Sequence, residues 1–153
     1  MKKIYKAVLA AFIALTLAGC AREVDYYPVI LTISIVDGDG HDLLDSASED
    51  FVGDEISLEY RNRIYVLSQP ESRACMPMFS GLGLVCKDGI WMLSFGELDG
   101  ESDYDDDFIL TFPDGSTRTI HYDRQVNHAL FFVKDKWTLD GDRVECPVTV
   151  EWD

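Results

Sequence analysis

Phe108-Ile109-Leu110-Thr111-Phe112-Pro113-Asp114-Gly115-Ser116-Thr117-Arg118-Thr119-Ile120-His121-Tyr122 reads as two strands folded back on a turn. Phe108, Leu110 and Phe112 recur with a period of two, so they share one face. Pro113-Asp114-Gly115 supplies the bend. Proline presets its own φ, the Asp carboxylate bonds local backbone, and glycine takes a positive φ without strain. Ile120 and Tyr122 then answer the first strand across the turn. This hairpin sets the β reading for the rest of the chain.

Working back toward the amino terminus, Ile90 to Phe95 alternates with Trp91, Leu93 and Phe95 on one face. Ile56, Leu58 and Tyr60 do the same and are stopped by Arg61-Asn62-Arg63, and Ile64 to Leu67 makes a further short strand. Pro28 to Asp37 is β-branched on both faces, which predicts a strand well inside a sheet. It ends at Asp37-Gly38-Asp39-Gly40. Leu43 to Val52 is polar and short, with room for one helical turn.

Toward the carboxyl terminus, Asp123 to Lys134 fits a helix through Val126, Ala129, Leu130 and Val133 or a strand, and the bulky run from Ala129 to Lys134 favours the strand. Trp137 to Leu139 continues it, and Asp140-Gly141 makes a turn. Val144, Cys146, Val148, Val150 and Trp152 alternate with polar residues, which predicts one strand with a buried face. Pro147 cannot donate to a ladder, which places that strand at an edge. About eight short strands, turn signals and little helix point to an all-β fold, an immunoglobulin-like β-sandwich of antiparallel strands over residues 28–153.

Several chemical readings fail on spacing. From Asp37, a calcium loop has His41 at position 5, Asp42 where glycine belongs and Ser48 where the bidentate acid belongs. Gly81-Leu82-Gly83-Leu84 lacks the third glycine of a dinucleotide loop. Ser80 lacks a glycine two places before it, so it is not a nucleophile elbow. The three histidines and the cysteines have no zinc spacing. With 28 acidic residues in the chain, a catalytic pair of carboxylates is easy to invent and carries no weight.

Three candidate features remain. Glu97 to Asp107 is acidic at alternate positions. It reads as a mobile loop, or as a calcium site on Asp103, Asp105 and Asp107. Cys75 and Cys86 bracket one apolar loop, and their disulfide is expected, with Cys146 a buried thiol. Pairing of Cys146 with Cys75 or with Cys86 is the alternative. Among the tryptophans, Trp91 and Trp152 read as core, and Trp137 is the candidate for ligand stacking.

The first twenty residues differ from the rest. Lys2, Lys3 and Lys6 precede Ala7 to Ala18, an uncharged apolar run too short to span a bilayer. Leu17-Ala18-Gly19-Cys20 follows, and it resembles the lipobox of bacterial lipoproteins. That resemblance implies a signal peptide over residues 1–19, cleavage before Cys20, and acyl chains on Cys20. One chain holds weakly and two or three hold firmly, at roughly 0.8 kcal/mol per buried methylene. Residues 20–27 would then be the lipidated amino terminus and its tether, and the seven residues from Ala21 to Tyr27 reach at most about 25 Å.

Removing the three leader lysines takes the net charge from −15 to −18. Such a body repels nucleic acid and anionic headgroups, so the acyl chains become the membrane contact. The body resembles the small lipoproteins that gut Bacteroidetes export. The stretches that carry this are Pro28-Val29-Ile30-Leu31 through Gly40-His41-Asp42-Leu43-Leu44-Asp45, and Phe108 to Tyr122. It implies an outer-membrane anchor and a β-sandwich body. Ala21-Arg22-Glu23 differs from the Ser-plus-acid run that resembles that group's surface-export signal, so the periplasmic or surface face stays open.

Three functions follow as expectations. The first is a non-catalytic binding or accessory module for a protein or glycan partner. The second is a small hydrolase with a Cys or acidic site. The third is a calcium-stabilised structural lipoprotein, and calcium is the only cofactor in view.

Overall fold

A computed structural model describes residues 27–67, 81–129 and 132–152. Ten strands lie within them: β1 (Val29–Val36), β2 (Ser57–Tyr60), β3 (Arg63–Val66), β4 (Leu82–Lys87), β5 (Ile90–Leu98), β6 (Tyr104–Thr111), β7 (Thr117–Asn127), β8 (Phe132–Leu139), β9 (Asp142–Val144) and β10 (Val148–Glu151). They form two sheets, ordered β10-β1-β5-β4 and β3-β2-β6-β7-β8-β9. A 3-10 turn at Gly53–Glu55 precedes β2. Cys20 and Cys75 lie outside the described residues.

The alternating apolar residues meet between the sheets. Leu31, Ile33, Ile35, Leu93 and Phe95 come from the smaller sheet; Leu58, Phe108, Leu110 and Ile120 come from the larger. All are fully buried in one core. Phe95 is the ring that joins the layers. It meets Tyr60, Tyr65 and Phe108 edge-on, at centroid distances of 5.5, 4.9 and 5.8 Å. Tyr60 and Phe108 stack at 4.6 Å within the larger sheet.

The hairpin forms as its sequence predicts, and both strands run further. Phe108 pairs with Ile120, and the ladder extends from Thr111–Thr117 to Tyr104–Arg124. At the bend Gly115 takes φ +83°, and Asp114 Oδ1 accepts the Ser116 N–H at 2.8 Å. β1 lies between β10 and β5, inside its sheet as expected.

Four expectations need correction. The strands are not all antiparallel, because β1 and β10 run parallel from Ile33–Val148 to Val36–Glu151. The apolar stretch before Cys86 contains a strand, β4, which turns into β5 through Asp88 and Gly89 at φ 55° and 84°. The acidic segment is not a loop throughout: Asp105, Asp106 and Asp107 sit in β6, paired with Asp123, Tyr122 and His121.

The alternation from Val144 to Trp152 is also not one strand. β9 ends at Val144 on the edge of the larger sheet, and β10 starts at Val148 on the edge of the smaller one. The residues between them cross from layer to layer. Cys146 lies on that crossing and is therefore exposed rather than buried. Its sulfur sits 3.4 Å from Thr32 Oγ1 and 3.7 Å from the Ile30 carbonyl, neither of them a base. Val148 and Val150 are buried as the pattern requires, and β10 is the expected edge strand.

Candidate binding cleft

β1 delivers the chain to one end of the sandwich, where the segment from Asp37 to Glu55 folds over the ends of β1 and β10. Asp37 makes the first turn. Its Oδ1 accepts the N–H groups of Asp39 and His41 at 2.9 and 2.8 Å, and its Oδ2 lies 2.8 Å from His41 Nδ1. Asp42 ties the segment down. It accepts the N–H of Leu44 through one oxygen and that of Trp91 through the other, both at 2.9 Å. Leu43 N–H donates to Ile35, Val52 N–H to Leu43, and Trp152 N–H to Val36.

These bonds hold open a cleft of about 560 Å³. That falls in the size range of small-molecule and side-chain pockets, roughly 300–1,000 Å³. Leu43, Val52, Phe51 and Trp152 give it apolar surface. Trp152 is fixed from behind by stacking on Phe112 at 5.4 Å. Glu49, Asp50 and Glu55 stand on its rim and are exposed. Between Asp37 and Glu55 every charged residue but His41 is acidic. Arg61, Arg63, Arg124, Lys134 and Lys136 lie toward the opposite end, where β2 turns into β3 and β7 into β8, whereas Arg118, near Trp152, and Lys87, at the β4–β5 turn, lie at the cleft end.

The Asp37–His41 pair sets the local electrostatics. The His41 backbone N–H, and then its ring, hold the Asp37 carboxyl below the usual carboxylate range. The Asp37 carboxylate in turn holds the His41 ring above the ordinary histidine value. The histidine's contribution is full below its unfolded pKa and fades as pH rises through the raised one. The aspartate's is full above its unfolded pKa and fades as pH falls through the lowered one. The turn is therefore tightest between roughly pH 4 and 6.5. An NMR titration should place the His41 midpoint above that of free imidazole, and Asp37→Asn should bring it back. An unshifted midpoint in the wild type would disprove the pairing.

The acids proposed for calcium go elsewhere. Asp103 Oδ1 accepts the Val126 N–H at 2.6 Å. Asp105 and Asp107 flank His121 on the outer face of the larger sheet, 3.5 Å from Nε2 and 2.9 Å from Nδ1. The imidazole between them separates the like charges. Among the described residues, the one group whose ligand atoms all come within 4.8 Å is Asp37, Asp39 and His41, and the turn's own hydrogen bonds account for it.

Trp137 is buried, with its ring stacked on Tyr122 at 3.8 Å, so it packs the core and offers no face to a sugar. Trp91 and Trp152 pack against the core, as expected. Cys86 is a free, exposed thiol at the end of β4. Its expected partner Cys75 is outside the described residues.

A second polar cluster sits inside the opposite end. Arg124 is 6% exposed. Its Nη1 donates to Tyr122 Oη and Asp135 Oδ1, both at 3.1 Å, and its Nη2 donates to the Gly100 carbonyl at 2.6 Å. Tyr122 donates to the same Asp135 oxygen at 2.8 Å. Nearby, Arg61 and Tyr60 both donate to Asp106 Oδ2, and the Arg61 guanidinium lies over the Tyr60 ring. Burial, and then Asp106, push the Tyr60 hydroxyl well above the phenol range. Arg124 Nε is buried without a partner among the described residues; the other polar groups of the cluster bond one another and tie β2 to β6 and β7 to β8.

Sequence reasoning assigned no site at the cleft. Its residues lack periodicity, and its acids are indistinguishable from solvated ones. Phe51 and Trp152 give it apolar surface, and only the fold brings them to one cleft. Compared with protein-family models, with curated proteins and with solved structures, the chain has no match.

Proposed function

We propose that the protein is a lipid-anchored lipoprotein of the cell envelope, held at the outer membrane through Cys20, whose body is a non-catalytic binding module. The anchor rests on the basic start, the short apolar run and Leu17-Ala18-Gly19-Cys20. The binding role rests on one observation, the preformed cleft with its apolar floor and acidic rim. The immunoglobulin-like reading of the sandwich rests on two facing sheets with loops gathered at their ends.

Intact-mass analysis of native protein from membranes tests the anchor. The expected species starts at Cys20 and carries acyl chains. A bare Cys20 or a retained leader overturns it. Site-specific photo-crosslinking in the envelope tests the binding role. A crosslinker replacing Phe51 should give a discrete adduct, and one replacing Ile64, exposed on the outer face of the larger sheet, should not. No adduct at the cleft counts against the module.

A further inference from the structure

The described chain begins at Tyr27 beside the start of β1, and the cleft lies past its far end. β1 has eight residues, so the two are separated by roughly 23 Å of strand. With Cys20 anchored as proposed above, a seven-residue tether keeps the start of β1 within about 25 Å of the membrane, and the cleft lies at the other end of that strand.

The rim carboxylates differ from the other acids at this end. Asp37 and Asp42 are consumed by backbone and by His41. Among the described residues, Glu49, Asp50 and Glu55 make no hydrogen bond or ion pair through their carboxylates, and Asp50 acts on the His41 ring only through space. They also belong to no group whose oxygens converge within 4.8 Å, so their spacing does not suit one bare ion. A cation of larger radius on an apolar stem matches better. Its methylenes would cover Phe51 and Trp152, and its head would stay wet between the carboxylates.

We propose that the cleft docks a lysine- or arginine-bearing segment of a protein partner, with the cationic stem on Phe51 and Trp152 and the head among Glu49, Asp50 and Glu55. This rests on the binding-module reading and names its partner class. The acidic field of the body would steer such a segment, and the cleft would select it.

The test is calorimetric titration of the mature chain with capped hexalysine, alongside neutral and uronate-containing oligosaccharides. Glu49→Gln with Asp50→Asn should weaken hexalysine binding about tenfold or more. Asp105→Asn with Asp107→Asn removes the same charge from the outer face of the larger sheet, and should change it less than about threefold. Gly53→Ala changes no charge, but its Cβ would come within 2.5 Å of the Phe51 ring tip, which must move. It should weaken binding severalfold. Equal losses in the two double variants mean a diffuse field and overturn the proposal, as does silence toward hexalysine. An oligosaccharide that binds and is lost in Gly53→Ala overturns the cationic partner while leaving the binding module standing.

Discussion

Phe95→Ala should be the most damaging single substitution in the body, costing about 3–5 kcal/mol. Phe95 is fully buried, on the central strand β5 of the smaller sheet. Its contacts are Tyr60, Tyr65 and Phe108 of the other sheet. Truncation would leave a ring-sized void where the layers meet, and neither sheet can close over it without moving its strands. Phe95→Leu keeps most of the volume and should cost roughly 1.5 kcal/mol or less. Urea unfolding of both variants checks this, and equal stability of Phe95→Ala and wild type would mean that the two sheets do not share this core.

Arg124→Met should come second, at about 2–4 kcal/mol, seen as a fall in melting temperature of roughly 10 °C. The methionine fills most of the space, so the loss is one of hydrogen bonds. The Gly100 carbonyl loses its donor and Asp135 loses its cation. Gly100 is itself buried, so water replaces that donor poorly. Asp135→Asn should cost less, near 1 kcal/mol, because Asp135 is 43% exposed and its Coulomb term is screened. Thermal unfolding of the two variants should rank them in that order. The reverse order would place the weight of the cluster on the ion pair rather than on the Arg124–Gly100 bond.

Much of the architecture was legible, and the exceptions have physical causes. Phe108 to Tyr122 was readable because one face is buried and the other wet, so its period survives in the residues. β1 was readable from its β-branched runs. β4 hid because Leu82 to Cys86 is apolar on both faces and holds Gly83; Asp88-Gly89 was the overlooked hairpin signal. The strand of aspartates hid because its repulsion is relieved by groups distant in sequence. Asp106 points inward to Tyr60 and Arg61, and His121 separates Asp105 from Asp107. Val144 to Trp152 misled because parity is preserved across Glu145-Cys146-Pro147 while the chain changes sheets. The cleft could not be read, since it is assembled from a non-repeating loop and the far end of the chain.

The parallel contact between the earliest and latest strands has a kinetic side. Ile33 to Val36 face Val148 to Glu151 across more than a hundred residues. One side of β1 therefore stays unpaired until nearly the whole polypeptide has been made. Closing so long a loop is slow, and a bare apolar edge is open to mispairing meanwhile. Such a chain gains from a holding factor that shields nascent strands, and losing Val148 to Glu151 would leave the first strand with β5 alone beside it.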